Sequence, residues 1–220
     1  MYIENGEWKN MNKLKVEKIV MDMVDENCYI VHNEINGIII DPGYGFKKIK
    51  KEVEKLNLKI VAIMLTHAHF DHIASLEECR EYFKVDVYAS KEEKNWLTSP
   101  KLNLSDFFGI KKGISTYLPE KEYEYYKDYD IHGIKFKVLP TPGHSPGGVS
   151  LDFGDFIMVG DTLFRSGIGR FDFEGSNYFD LKNSLNNVLF KLDGNKIVYP
   201  GHGYETYIKR EKDLDLISRY

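Results

Sequence analysis

The sequence predicts a mixed fold of α/β or α+β class. Short apolar or alternating runs with the period of a β-strand recur along the 220 residues. Runs with helical spacing stand between several of them. Four of the apolar runs end at a histidine or an aspartate, and sheets flanked by helices place their sites at strand ends.

The elements follow in order. Residues 1–12 are polar and read as a tail. Residues 14–20 alternate apolar and polar, as a half-buried strand does. Two more strands follow at 27–31 and 37–40, joined by a turn at 33–36 and closed by Asp41-Pro42-Gly43. Residues 46–56 put Phe46, Ile49, Val53 and Leu56 on one helical face. The apolar run 60–65 reads as a buried strand, and 73–83 has helical spacing. A short strand at 85–88 precedes a charged helix at 91–97. Residues 98–130 carry little periodicity but several aromatics. Such a connection serves as a binding loop or lid, or as an excursion that covers the core. Strands are expected again at 134–139, 149–153, 156–160 and 196–199, with a hairpin turn at Gly154-Asp155. Residues 180–192 form a helix with Leu181, Leu185, Val188, Leu189 and Leu192 apolar.

Composition narrows the function. With 42% hydrophobic residues, the chain can build a substantial core. A net charge of −4 with mixed signs argues against a nucleic-acid or anionic-membrane partner. No apolar run approaches membrane-spanning length. Cys28 and Cys79 stand far apart, and residues 1–12 lack a secretory h-region, so a reducing cytoplasm is expected.

The chemistry concentrates at Thr66-His67-Ala68-His69-Phe70-Asp71-His72, a strand-to-helix turn. Neutral imidazole and carboxylate are ligands for zinc and similar metals. His67 and His69, two apart on extended backbone, can share one ion. Asp71 and His72 fall after the bend and can turn toward a second. His144, Asp161 and His202 end three later strands, so five of the seven histidines are used this way. We assign His67, His69 and His144 to one cation, and Asp71, His72 and His202 to the other. Asp161 bridges them, and Asp71 and Asp161 are the candidate catalytic residues. Each set leaves a position that water can fill. Water shared by two cations about 3.5–4 Å apart is a nucleophile at neutral pH. Glycines and prolines beside His144 and His202 permit the tight turns needed.

Four motifs in this order resemble the metallo-β-lactamase superfamily: the 66–72 cluster, Thr141-Pro142-Gly143-His144, Gly160-Asp161-Thr162-Leu163-Phe164 and Pro200-Gly201-His202-Gly203. Gly167-Ile168-Gly169-Arg170 makes the third motif similar to the glyoxalase II (hydroxyacylglutathione hydrolase) branch. Asn27-Cys28-Tyr29 and Ile40-Asp41-Pro42-Gly43 match that branch's opening strands. The resemblance spans 14–205 and implies an α+β fold, a four-layer αβ/βα sandwich, with a dinuclear site at one edge. It implies a single metallo-hydrolase domain over 1–220, akin to the short bacterial glyoxalase II-like enzymes, because the further helical domain of full-length glyoxalase II has no counterpart after Tyr204.

The implied reaction is hydrolysis of an S-acyl thioester of a small thiol, such as S-lactoylglutathione, with two divalent ions, zinc foremost and iron or manganese as alternatives. A thiol has a pKa of about 8.5 and departs without a proton donor, whereas the amine of an amide needs one. The resemblance also places Arg170 and Tyr204 at substrate-contacting positions. Asp41 is expected to fix a histidine tautomer from behind the ligands. The alternative is a persulfide dioxygenase-like oxidoreductase, which shares the fold but uses one iron held by two histidines and an aspartate. His32 and His132 read as surface histidines, Cys28 as core, and Trp8 and Trp96 as packing.

Overall fold

The computed structural model describes residues 2–4, 7–9 and 13–219. Within the expected tail, β1 (Tyr2–Glu4) and β2 (Glu7–Lys9) pair antiparallel. The rest of that tail and the Trp8 side chain lie outside the described residues.

Six strands form the first sheet: β3 (Lys15–Val20), β4 (Asn27–His32), β5 (Asn36–Ile40), β6 (Lys59–Met64), β7 (Val87–Ala89) and β8 (Lys121–Glu122), side by side in that order. Short turns make β3, β4 and β5 antiparallel, and longer crossovers make the remaining pairs parallel. The second sheet holds β9 (Asp128–Ile131), β10 (Ile134–Pro140), β11 (Val149–Asp152) and β12 (Phe156–Gly160) as antiparallel neighbours. A small hairpin follows, β13 (Leu163–Phe164) with β14 (Gly167–Ile168). β15 (Ile197–Pro200) then adds parallel to β12, and β16 (Thr206–Tyr207) closes the edge.

Alternation along the strands sorts the core into three slabs. Ile38 and Ile40 of β5 face Val138, Leu151 and Met158 of the other sheet. Ile39, pointing the opposite way, packs with Ile49 and Val53 of α1 (Phe46–Leu56) and with Ile73 of α2 (Phe70–Ile73). Leu76 and Cys79 of α3 (Leu76–Phe83) join that slab. Ile157 and Val159 of β12 pack with Leu181 of α4 (Tyr178–Asn183) and Ile208 of α5 (Ile208–Asp213). The order is therefore helices, sheet, sheet, helices, the four-layer α+β sandwich expected. No helix among the described residues is long and apolar enough to cross a membrane.

Four local expectations need correction. The 73–83 helix is two pieces broken at Ala74-Ser75, because Ser75 bonds sideways: its N–H donates to Pro42 O and its hydroxyl accepts from Gly45 N. Residues 91–97 make successive tight turns instead of a helix. Here Glu93 is buried, and Trp96 and Leu97 join the core. The 180–192 helix starts earlier, at Tyr178, after Asn177, whose side chain accepts from Phe179 N and Asp180 N; it then widens to a π-turn at Ser184–Val188 and tightens at Leu189–Lys191. His32 is buried, not at the surface, because β4 lies between β3 and β5 and its partner on β5 is Gly37. His132 is exposed, as expected.

Candidate metal centre

The candidate ligands gather at one end of the sandwich, His67, His144, Asp161 and His202 just past strands and Asp71 and His72 on α2. β6 leads to His67, β10 to His144, β12 to Asp161 and β15 to His202. The sheets are tied together at this end. Val149 N donates to Thr66 O at 2.9 Å, and Asn27 N to Gly201 O at 2.7 Å. Gly143 has φ +134°, a region L side chains rarely adopt, and a Cβ there would strike the Leu181 backbone at 2.2 Å. At Gly201 a Cβ would meet Asp161 Oδ1 at 2.1 Å and His72 Cε1 at 2.7 Å, so only glycine lets the His202 turn close on the centre.

The structure brings all seven residues together. Ligand atoms of His67, His69 and His144 lie within 4.8 Å of one another, and so do those of Asp71, His72 and His202. His69 Nδ1 and His144 Nε2 face each other at 3.0 Å. Asp161 stands between the sets. Its Oδ1 lies 3.4 Å from His72 Nε2, and its Oδ2 lies 3.6 Å from both His144 Nε2 and His202 Nε2. That position suits a carboxylate shared by two cations.

The buried atoms that find no hydrogen bond test the fit. His67 Nε2, His69 Nε2, His72 Nε2 and Asp161 Oδ1 have none. Leaving such groups unpaired costs about 1–3 kcal/mol each. His67 Nε2, His72 Nε2 and Asp161 Oδ1 account for themselves if cations occupy the space between the sets, and His69 turns its Nδ1 toward His144, so the residues present fit divalent metal ions. The outward ring nitrogens are held: His72 Nδ1 by Asp41 Oδ2 at 3.0 Å, His144 Nδ1 by Arg170 O at 2.8 Å and His202 Nδ1 by Val24 O at 3.1 Å. Holding one nitrogen aims the other at the metal. Asp41 therefore stands where the sequence reading put it.

Electrostatics divides the two sets. Burial drives the His67 and His144 imidazoles down and takes His69 to about 3, so these rings are neutral and ready to bind a cation. Burial also pushes His72 down, but Asp71, Asp161 and Asp41 outweigh it and raise it well above the ordinary value. His202 is raised too: burial opposes, while Asp71 and Asp161 prevail. Burial works against the Asp161 carboxylate, yet the surrounding imidazoles hold it well below the usual range.

Two glutamates escaped the sequence reading, because nothing in their spacing marks them. Glu93 is buried, and its two oxygens accept Ala68 N and Gly147 N at 2.7 Å each. One carboxylate thus ties the loop of His67 and His69 to the loop of His144. Glu26 is fully buried 3.8 Å from His72 Nδ1, and burial raises its carboxyl well above the usual range.

A cleft of about 530 Å³ opens over the centre. Arg170 and Tyr204 both line it. The Arg170 guanidinium pairs with Asp172 at 2.8–2.9 Å and stacks on Phe173, 4.0 Å from the ring centroid. Tyr204 is exposed, with Lys18 over its ring. The 98–130 connection divides: Leu102 and Ile114 cover the core, while Leu104 and Phe108 line the cleft. Trp96 packs in the core 5.7 Å from the His69 ring.

This fold, with its paired His/Asp sets at the strand ends, defines a metallo-hydrolase architecture. Residues 21–202 match the Metallo-beta-lactamase superfamily, and the chain belongs to it. It is 40% identical over 208 residues to "Probable metallo-hydrolase M6_Spy0554" of Streptococcus pyogenes serotype M6, covering 92% of this chain and 89% of that protein. It is 30% identical over 203 residues to "Hydroxyacylglutathione hydrolase GloC" of Haemophilus influenzae, covering 90% and 95%. Among solved structures it is similar to the BLEG-1 B3 metallo-beta-lactamase, with TM-score 0.86 and 33% identity over 90% of this chain and 97% of that one. It is also similar to TTHA1623, solved in a di-iron-bound form, with TM-score 0.78 and 30% identity over 89% and 96%.

Proposed function

We propose that this protein is a dinuclear-metal thioesterase that hydrolyses S-acyl thioesters of a small thiol, in the manner of glyoxalase II. The observation that carries the reading is Asp161 lying between two complete ligand sets beneath an open cleft. The likeness to the Haemophilus hydrolase over nearly both whole chains supports the thioester class.

His67, His69 and His144 would hold one cation, Asp71, His72 and His202 the other, and Asp161 both. Divalent cations supply Lewis-acid activation of water and electrostatic stabilisation of a developing oxyanion. The residues do the rest. Asp71 lines the cleft and would accept the proton that water gives up. A C–O bond forms at the acyl carbon, the C–S bond breaks, and its electron pair leaves on sulfur. With a thiol pKa of about 8.5, the leaving group needs no proton donor. Glu26, the acid kept neutral by burial, does not line the cleft.

The test is metal analysis of purified protein together with S-lactoylglutathione turnover. Two metals per chain and metal-dependent thiol release are expected. Thiol release that survives complete metal removal overturns the reading. One iron per chain with oxygen consumed on glutathione persulfide would establish the oxidoreductase instead.

A further inference from the structure

The cleft has two unlike walls. Toward His202 it is lined by Val24, Phe164, Arg165 and Tyr204. Beside His69 and His144 it is mainly apolar, built from Phe70, Leu104, Phe108 and Phe173, with the Arg170 guanidinium stacked on Phe173 and paired with Asp172. The rings form a chain: Phe70 to Phe108 at 5.1 Å, Phe108 to Phe173 at 5.9 Å, and Phe173 to His69 at 5.9 Å.

This wall is preformed. Leu104 sits at φ +68°, a strained position for a non-glycine residue. The buried Asn103 holds it there. Asn103 O accepts Phe70 N at 2.9 Å, and its Nδ2 donates to Trp96 O and Ile114 O. The loop thus docks directly on the helix that carries Asp71 and His72. Its tip nevertheless leaves Phe108 45% and Phe107 71% exposed beside a polar centre. Apolar surface in that position gains free energy only when something apolar covers it. A metal centre does not itself require aromatic neighbours on one side.

We propose that the wall of Phe70, Leu104, Phe108 and Phe173 binds the acyl half of the thioester, and selects an aromatic or branched acyl group over acetyl or lactoyl. The inference rests on the thioester reading above. The acyl half is assigned here because a water-soluble thiol carrier brings polar and charged groups. Those suit the opposite wall, where the Arg165 guanidinium has no hydrogen-bond or ion-pair partner among the described residues. An apolar pocket discriminates by the area it covers, and a ring covers far more of this wall than a methyl group.

The experiment compares kcat/KM of the zinc-loaded protein for acetyl-, lactoyl- and phenylacetyl-glutathione. The phenylacetyl thioester should exceed the acetyl one by at least about tenfold. Phe108→Ala should cut that ratio at least about fivefold, and Phe108→Leu, which keeps an apolar side chain, should cut it less. If the alanine variant does not fold, the leucine variant carries the comparison alone. Equal kcat/KM for acetyl and phenylacetyl substrates, or a ratio unchanged by the substitutions, overturns the inference and leaves the thioesterase reading standing. Hydrolysis of none of the three overturns that reading, and the inference with it.

Discussion

Asp41 Oδ2 lies 3.0 Å from His72 Nδ1, and the same carboxylate accepts Thr66 N at 2.7 Å and Thr66 Oγ1 at 2.6 Å. One buried side chain therefore sets the His72 ring and the backbone that launches the histidine cluster. Asp41 has φ +50°, which an aspartate tolerates better than most residues. The amide of Asp41→Asn keeps the shape but weakens its hold on His72. Cation affinity at the Asp71, His72 and His202 set should fall about 10- to 100-fold. A chelator competition read against metal content checks it; unchanged affinity would detach Asp41 from the centre.

His69→Ala removes one of three imidazoles from its set. Metal content should fall from two toward one per chain, and thioester turnover by at least about a hundredfold. Elemental analysis and an assay of the same sample test both.

The two sets should part company on acidification. A protonated imidazole cannot hold a cation. His67, His69 and His144 are depressed, so they stay neutral to lower pH. His72 and His202 are raised, so protons compete for them at higher pH. As pH falls, the cation at His72 and His202 should therefore leave first, while the set of His67, His69 and His144 keeps its cation to lower pH. Stoichiometry measured after desalting at each pH should step from two to one; simultaneous loss would contradict the division.

Glu93→Ala strands two buried N–H groups, at Ala68 and Gly147, on the two loops that carry His67, His69 and His144. The cost should be about 3 kcal/mol or more of stability. Urea unfolding of the metal-free protein measures it without interference from bound ions. A change under about 0.5 kcal/mol would mean the clamp is dispensable.

Cys28 and Cys79 are both buried, and burial raises both thiols above the ordinary value. The thiolate is the reactive form. Neither should react with a thiol reagent in the native protein, and both should react in denaturant. Two native-state equivalents would place them at the surface.

Much of this protein is legible along the chain. Strand alternation at 14–20 and 134–139 and the helical face of 46–56 are local, because the period of burial is written into neighbouring residues. The metal ligands were legible for a related reason: histidines crowded at 67, 69 and 72, and others placed at strand ends, carry their chemistry in their identity and position. The tertiary structure decided the remainder. Glu93 is an ordinary charged residue in sequence and acquires its role because two loops, 25 and 54 positions away, bring N–H groups to it. Ser75 breaks a helix because Pro42 and Gly45 lie beside it. Phe108 and Phe173 are 65 positions apart, and only the docking of the 98–130 connection makes them one wall. Local sequence determines which way a side chain faces; what stands opposite it is determined by the packing of distant segments, which no local period encodes.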